Sequence, residues 1–264
     1  MADSTEHQIR FTDGAGYERM MGLWSRPVGE VFLDWLAPKQ GLAWADIGCG
    51  NGAFTELLVD RCAPTSIAGI DPSPEQLSYA RQRHTAGIAQ FTQGSAMDLP
   101  IADASVDAAA MALVIFFVPE PAKGVAEMMR IVRPGGSVSA YAWDFLDGGF
   151  PWEPVHEELR ALGLPPAAPP SAPIARLDNL TRLWQDSGLQ QVESRIITIE
   201  REFPSFDDFW ATAQLAPTMA HALKTLAPTQ LDEVRERVRA KLEVRNGKIV
   251  HWGRANAAKG IVPR

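Results

Sequence analysis

The sequence predicts an α/β fold: a Rossmann-like, mostly parallel sheet with helices on both faces. Three observations carry this expectation. Short strand-like apolar runs alternate with helix-like ones through the first ~145 residues. A loop with glycines at every second position, GCGNG over 48–52, comes directly after the first of those strands. The chain has 264 residues, 46% of them apolar, which suits a single core with an appended lobe.

The elements can be taken in chain order. After a polar start, GYERMMGLWSRPVGEVFLDWLAP places Met20, Met21, Trp24, Val28, Phe32 and Leu36 at helical spacing, and Pro27 predicts two short helices meeting at that residue. LAWADI alternates as a strand ending at Gly48. A helix over 53–61, a strand SIAGID and a helix opening at Pro74 complete a β-α-β unit. Strand IAQFTQG, loop SAMDLPIADAS, strand VDAAAMALV, a helix over 120–132, a turn RPGG and strand SVSAYAWD repeat the alternation.

Beyond Asp147, DGGFPWEP and LGLPPAAPPSAP are Pro/Gly-rich breaks around a short helix, of the composition expected for a connector or lid. A helix over 176–186 stopped by Gly188 leads to strand LQQVESRIITIERE. Residues 205–245 read as two or more helices, the last being TQLDEVRERVRAKLEV closed by Asn246-Gly247, and KIVHWGRANAAKG is the final strand. The chain thus divides into an N-terminal helical lid (1–37), a cofactor-binding core (38–147) and the rest of the sheet (148–264). A helical cap at about 205–245 is inserted between the last two strands, all within one overall domain.

Composition narrows the partners. A net charge of −7 without a dense Lys/Arg stripe argues against an electrostatic grip on nucleic acid or an anionic membrane, and favours a small molecule. Cys49 and Cys62 are too few for a disulfide scaffold and lack zinc-site spacing, and MADSTEHQIR lacks an apolar signal core. No run reaches the ~18 apolar residues of a membrane span, so a cytoplasmic protein without a metal is expected. Oligomeric state is not readable.

In a parallel sheet the ligand sits beyond the carboxyl ends of the strands. Gly48, Gly50 and Gly52 allow a sharp turn and a close approach there, with Cys49 and Asn51 between them, and the helix starting near Ala53 points free N–H groups at polar atoms. Read as G-x-G-x-x-A through Gly48, Gly50 and Ala53, the loop also fits a dinucleotide fingerprint. Asp71 lies about 20 residues on, where an acidic side chain meets ribose hydroxyls. At this level a nicotinamide cofactor and another adenosine-bearing cofactor remain alternatives.

The order of the surrounding segments separates them. Asp46 precedes the glycines, GIDPSPEQLSYAR comes at and beyond the end of the second strand, and GSAMDLPIADASVDAAAMALVIFFVPEP and EMMRIVRPGGSVSAYAW come next. This ordered set, over about residues 40–145, resembles the class I S-adenosylmethionine-dependent methyltransferases, within them the type 11 group that includes ubiquinone and menaquinone biosynthesis enzymes. The resemblance implies a seven-stranded sheet with an antiparallel last strand. It implies that Asp46 holds the methionine amino group, with Gly48 and its neighbours against the methionyl part, and that Asp71 takes both ribose hydroxyls beside Pro72 and Gln76. Ala96 and Met97 would border adenine with their backbone N–H groups, and Leu113 would line the approach to the sulfonium. Many relatives carry Asp where this chain has Ser95, so the adenine amino group is left to Ser95 or Asp98. Relatives often show a histidine pair where Phe116 and Phe117 stand here, so no catalytic histidine carries over.

Methyl transfer is an in-line displacement at a carbon activated by the sulfonium, so alignment and exclusion of water matter most, and a general base is optional. The acceptor would be a small molecule methylated at O, N or C. Tyr17 and Asp144 are the candidate catalytic groups; Tyr17, Trp24, Arg26, Phe116, Trp143 and Trp210 are candidates to meet the substrate. For Trp24 and Arg26 the plainer reading is a packing stripe and a solvated charge. Phe203, Phe206, Phe209, Trp210, Met219 and Leu223 either line a substrate cavity or fasten the cap. A nicotinamide oxidoreductase, or a cofactor-binding protein of this fold without turnover, is the alternative.

Overall fold

The structure is a computed structural model, and it describes residues 21–85 and 87–264, apart from the side chains of Pro217 and Thr218. Strands β1 (Ala43–Ile47), β2 (Ser66–Asp71), β3 (Ala89–Gln93), β4 (Val106–Ala112), β5 (Val132–Trp143), β6 (Gln190–Phe203), β7 (Glu243–Arg245) and β8 (Lys248–Ile261) form one sheet. Its order is β3-β2-β1-β4-β5-β8-β6, with β7 paired onto β8. β1 to β5 pair in parallel, and β8 runs antiparallel between β5 and β6. The sheet has the expected architecture with one strand more than expected. Asn246 and Gly247, both at positive φ (53° and 78°), close a β7–β8 hairpin where the sequence suggests a helix end. Asn-Gly is the favoured pair for such a turn, and two short flanking strands are enough to use it.

The central strands are buried on both faces. In β4, Ala108, Ala109, Ala110 and Met111 have no exposed surface, so the run is continuously apolar instead of alternating. One face is covered by α1 (Leu23–Leu36), α2 (Ala53–Cys62) and α3 (Pro74–Ala80); α4 (Pro121–Ile131) and α6 (Leu177–Asp186) come after β4 and β5, on the connections that return the chain to the sheet. α5 (Glu153–Ala161) is the short helix between the two Pro/Gly-rich breaks.

α1 corrects the expectation of two helices meeting at Pro27. It runs unbroken with Pro27 inside it. The residue sits near the helix start, where losing one backbone N–H costs only one carbonyl of the first turn its partner. Against that loss stand Trp24, Val28, Phe32 and Leu33, all buried on one stripe. Gly29 lets the helix lie close, since a Cβ there would come within 2.8 Å of Leu57 and 3.1 Å of the Tyr141 hydroxyl.

β6 and β8 outrun their neighbours. β5 ends at Trp143, opposite Ala255, while the β6–β8 pairing continues from Ile197↔Ala255 to Phe203↔Ile249, about 20 Å farther. This arm carries the cap of α7 (Phe206–Ala213), α8 (Pro217–Lys224) and α9 (Pro228–Ala240). Phe203, Phe206, Phe209, Trp210, Met219 and Leu223 are all buried. Phe209 lies 5.1 Å from Phe203 and 5.3 Å from Trp152, ring centre to ring centre. These side chains fasten the cap to the arm and to the Trp152 segment.

Candidate functional site

The carboxyl ends of β1, β2, β4 and β5 share one edge of the sheet, and the loops leaving them build the candidate site. The glycine loop turns on Ile70, whose carbonyl accepts from both Gly48 N (2.7 Å) and Cys49 N (3.0 Å). Gly48 has φ +73°, and a Cβ there would lie 2.4 Å from Val114 at the end of β4, so only glycine fits. At Gly50, φ +52°, no atom of the described residues lies within 4 Å of the corresponding Cβ position. Asn51 is buried and accepts from Ala53 N through Oδ1, while its carbonyl accepts from Arg83 Nε at 2.6 Å. Burial, with Asp46 and Asp71 nearby, pushes the Cys49 thiol up, which leaves it an inert packing group.

Asp46 sits at the end of β1 with no exposed surface. Thr55 Oγ1, in the first turn of α2, donates to its Oδ2 at 2.6 Å, and its Oδ1 is buried without a hydrogen-bond partner among the described residues. Burial pushes the carboxyl up to about 7, opposed by the Thr55 hydrogen bond and assisted by the charge of Asp71. Thr55 is a site residue that sequence reasoning misses; its signal is a hydroxyl in the first turn of the helix, able to reach back over the strand end.

Asp71 ends β2. Its Oδ2 accepts from Gly50 N and its Oδ1 from Ser73 N, each at 2.9 Å, so it clamps the glycine loop to the β2 turn. Burial raises its pKa, opposed by those two N–H groups. Each carboxylate oxygen keeps a further lone pair for a ligand hydroxyl. Pro72 is exposed beside it, and Gln76 is buried in the first turn of α3.

At the third loop Ser95, Ala96 and Met97 are half-buried. The Met97 N–H, expected to reach a ligand ring, donates instead to Ser95 Oγ at 3.1 Å, and Asp98 N donates to the Ser95 carbonyl. A Glu127–Arg130 pair on α4 anchors residues 99–101 of the same loop: Leu99 N donates to Glu127, and Arg130 donates to the Leu99 and Ile101 carbonyls. Sequence reasoning passes over this pair because two opposite charges three apart on a helix look like solvated surface.

Leu113 comes directly after β4 at φ +62°, a left-handed conformation costing a leucine roughly 1–2 kcal/mol, and is held there by its N–H on the Tyr141 carbonyl at 2.9 Å. It is buried, as are Ile115 and Phe116 in the next turn, where Phe116 stacks edge-on to Phe145 at 4.8 Å. Such strain is kept where surrounding structure over-determines it, commonly at ligand sites.

The remaining candidates fall elsewhere. Tyr17 and Met20 lie outside the described residues. Arg26 is a surface cation paired with Asp60 at 3.2 Å and Glu30 at 3.3 Å. The Asp144 carboxylate is buried and committed: Arg254 donates to its Oδ2 at 2.7 and 2.9 Å, and Asp147 N donates to its Oδ1. A carboxylate held this way closes the 144–149 loop. Trp24 on α1, Trp143 at the end of β5 and Trp210 in the cap are all buried. Among the described residues no group of three or more His, Cys, Asp or Glu is placed to hold a metal, and no helix is long and apolar enough to cross a membrane.

A glycine loop and two buried acids at the switch point between β1 and β4 define a Rossmann-like cofactor-binding protein. Residues 45–140 match the methyltransferase domain family. The matched stretch lies within the region whose motifs resemble the class I S-adenosylmethionine-dependent methyltransferases. A malonyl-(acyl-carrier protein) O-methyltransferase of Pectobacterium atrosepticum is 32% identical over 144 residues, covering 50% of this chain and 55% of that protein. A demethylmenaquinone methyltransferase of Desulfitobacterium hafniense is 39% identical over 106 residues, 38% of this chain and 42% of that one. The chain spans about half the length of the curated relatives it matches. Among solved structures, phosphoethanolamine N-methyltransferase 2 of Haemonchus contortus in complex with S-adenosyl-L-methionine has a similar fold, with a TM-score of 0.60 at 17% identity. The likeness covers 94% of this chain and 56% of that one.

Proposed function

We propose that the chain binds S-adenosylmethionine at this edge and transfers its methyl group to a small-molecule acceptor at O, N or C. The observation that carries the reading is Asp46 Oδ1, a buried carboxylate oxygen with no partner among the described residues, beside a loop whose Gly50 has no described atom within 4 Å of its Cβ position. A buried acid of this kind is costly unless a cation completes it. The methionyl ammonium of the cofactor is such a cation, and it would sit over Asp46 with the chain of the methionyl part against Gly48, Gly50 and Gly52. Asp71 supports the ribose hydroxyls through its remaining lone pairs, with Pro72 and Gln76 alongside. Ser95, Ala96 and Met97 frame the adenine; with the Met97 N–H used inside the turn, Ala96 is left as the backbone donor of that loop. When bound, the cofactor supplies a methyl carbon made electrophilic by the sulfonium.

What this chain contributes is placement. Leu113, fixed in its strained conformation, and Phe116 form a dry wall where the strand ends, which excludes water from the line of attack. With Asp144 held by Arg254, an acceptor that gives up its proton readily needs no base from this loop. The malonyl-(acyl-carrier protein) and demethylmenaquinone enzymes carry names for dissimilar acceptors, so likeness to this domain does not by itself choose the acceptor.

Incubation with S-adenosylmethionine carrying a deuterated methyl group and a small-molecule cell extract, with mass spectrometry as the readout, should show products heavier by one labelled methyl, and none with Asp46→Asn. Cofactor binding without any labelled product would favour a binding protein of this fold that does not turn over.

A further inference from the structure

Along the seam between α1 and the β6–β8 arm, buried polar atoms lack hydrogen-bond partners among the described residues and have no part in the cofactor site. They are Nε1 of Trp24 and of Trp143, Nη1 of Arg201 and Nε2 of His251. They belong to one neighbourhood. Arg201 stands directly across the β6–β8 ladder from His251. Its Cζ lies 4.2 Å from the Phe203 ring centre and 5.8 Å from that of Trp24, and the His251 ring packs edge-on to Trp24 at 6.1 Å. Gly253 makes room for both indoles: a Cβ there would meet Trp143 at 3.2 Å and Trp24 at 3.5 Å. Trp143 is the last residue of β5, so the seam adjoins the carboxyl edge of the sheet.

The chemistry of the set is one-sided. Arg245 and Arg254 on the same arm are paired with Glu200 and Asp144, whereas Arg201 lies over aromatic faces with no carboxylate partner among the described residues, and burial pushes its pKa down to about 10. A half-buried guanidinium without a carboxylate carries a desolvation cost that an anion would offset. Burial pushes His251 down to about 4, so the ring is neutral at neutral pH; its hydrogen bond to the Pro151 backbone leaves Nε2 as an acceptor. Donors outnumber acceptors, the net charge is positive, and the walls are aromatic.

We propose that this seam is the subsite for a carboxylate on the methyl acceptor, held by Arg201 with the indole N–H groups of Trp24 and Trp143, while a hydroxyl or amine of the same molecule donates to His251 Nε2. The inference rests on the methyltransferase reading and adds the acceptor class: a small aromatic or apolar acid bearing a hydroxyl or amine. A single carboxylate charge matches one guanidinium, whereas a phosphate would bring two charges to it.

The test uses the full chain saturated with S-adenosylhomocysteine, titrated with 4-hydroxybenzoate as the probe and 4-hydroxybenzamide as its uncharged counterpart. The acid should bind at least tenfold tighter than the amide. Arg201→Met should abolish that preference, Arg201→Lys should keep part of it, and Arg245→Gln, a surface cation on the same arm, should leave it intact. Absence of a preference for the acid in the wild type, or its persistence in Arg201→Met, overturns the proposal. S-adenosylhomocysteine binding by each variant is the control for folding. If the wild type fails to bind S-adenosylhomocysteine, the methyltransferase reading has failed; if that binding is normal and only the acid preference is missing, the subsite alone has failed.

Discussion

Asp46→Asn should weaken S-adenosylhomocysteine binding at pH 8 by at least about a hundredfold while making the ligand-free protein more stable. Both effects come from one orphaned oxygen. Breaking a buried ion pair by removing one partner costs about 3–5 kcal/mol, and a hundredfold in affinity is about 2.7 kcal/mol, so the loss is well within reach of this one contact. In the wild type the carboxyl is pushed up to about 7 by burial. It is therefore mostly ionised at pH 8 and mostly protonated at pH 6, and wild-type affinity should fall about tenfold between them. The asparagine variant should show no such dependence. For the ligand-free protein the direction reverses. The unfolded chain ionises Asp46 near its ordinary value, the folded chain only near 7, so its stability is full below about pH 4 and is lost as pH rises to 7. A shift of this size corresponds to roughly 4 kcal/mol, which sets an upper limit on what Asp46→Asn recovers at pH 8. Calorimetric titration and melting curves at pH 6 and 8 measure both; unchanged affinity in a folded variant discards the ammonium contact.

Asp71→Ala should lower cofactor affinity at least tenfold, about 1.4 kcal/mol, and lower the melting temperature as well. The first effect comes from the ribose hydroxyls. The second comes from Gly50 N and Ser73 N, which lose the acceptors they now have at 2.9 Å. These N–H groups are only partly buried, so the cost of leaving them unsatisfied is at most the roughly 1–3 kcal/mol of a fully buried one. Asp71→Asn separates the two, because the amide oxygen still accepts from one of these N–H groups while the charge is gone. Partial recovery of the melting temperature, since the amide NH2 faces the other N–H, without recovery of affinity is the expected pattern. Full affinity in the folded Asn variant would reduce Asp71 to a clamp on the loop.

Legibility in the sequence differs from residue to residue. Where one local pattern decides the outcome, the residues are readable: SIAGID is β2 to the residue, and Gly48 is glycine because β4 passes too close for anything else. Pro27 and Asn246-Gly247 mislead because each has two outcomes that tertiary packing chooses between. The buried stripe of α1 overrides the proline, and pairing with β8 turns a helix stop into a hairpin. Asp46 is legible by its place before the glycines, but its orphaned Oδ1 is not, since that depends on Thr55 occupying only one oxygen. Asp144 looks like a group at the site mouth, and its commitment to Arg254 is hidden by the long separation between them. The cap aromatics can be read only as apolar, and whether apolar residues face a cavity or one another is decided by their packing.

The central claim is that this edge of the sheet holds S-adenosylmethionine and not a nicotinamide dinucleotide, although the glycine spacing alone fits both. Parallel calorimetric titrations of the purified chain with S-adenosylhomocysteine and with NADH at pH 8 test it most directly. Saturable binding of S-adenosylhomocysteine below high micromolar concentration, with no heat from NADH, is the predicted result. Binding of NADH with none of S-adenosylhomocysteine would contradict it.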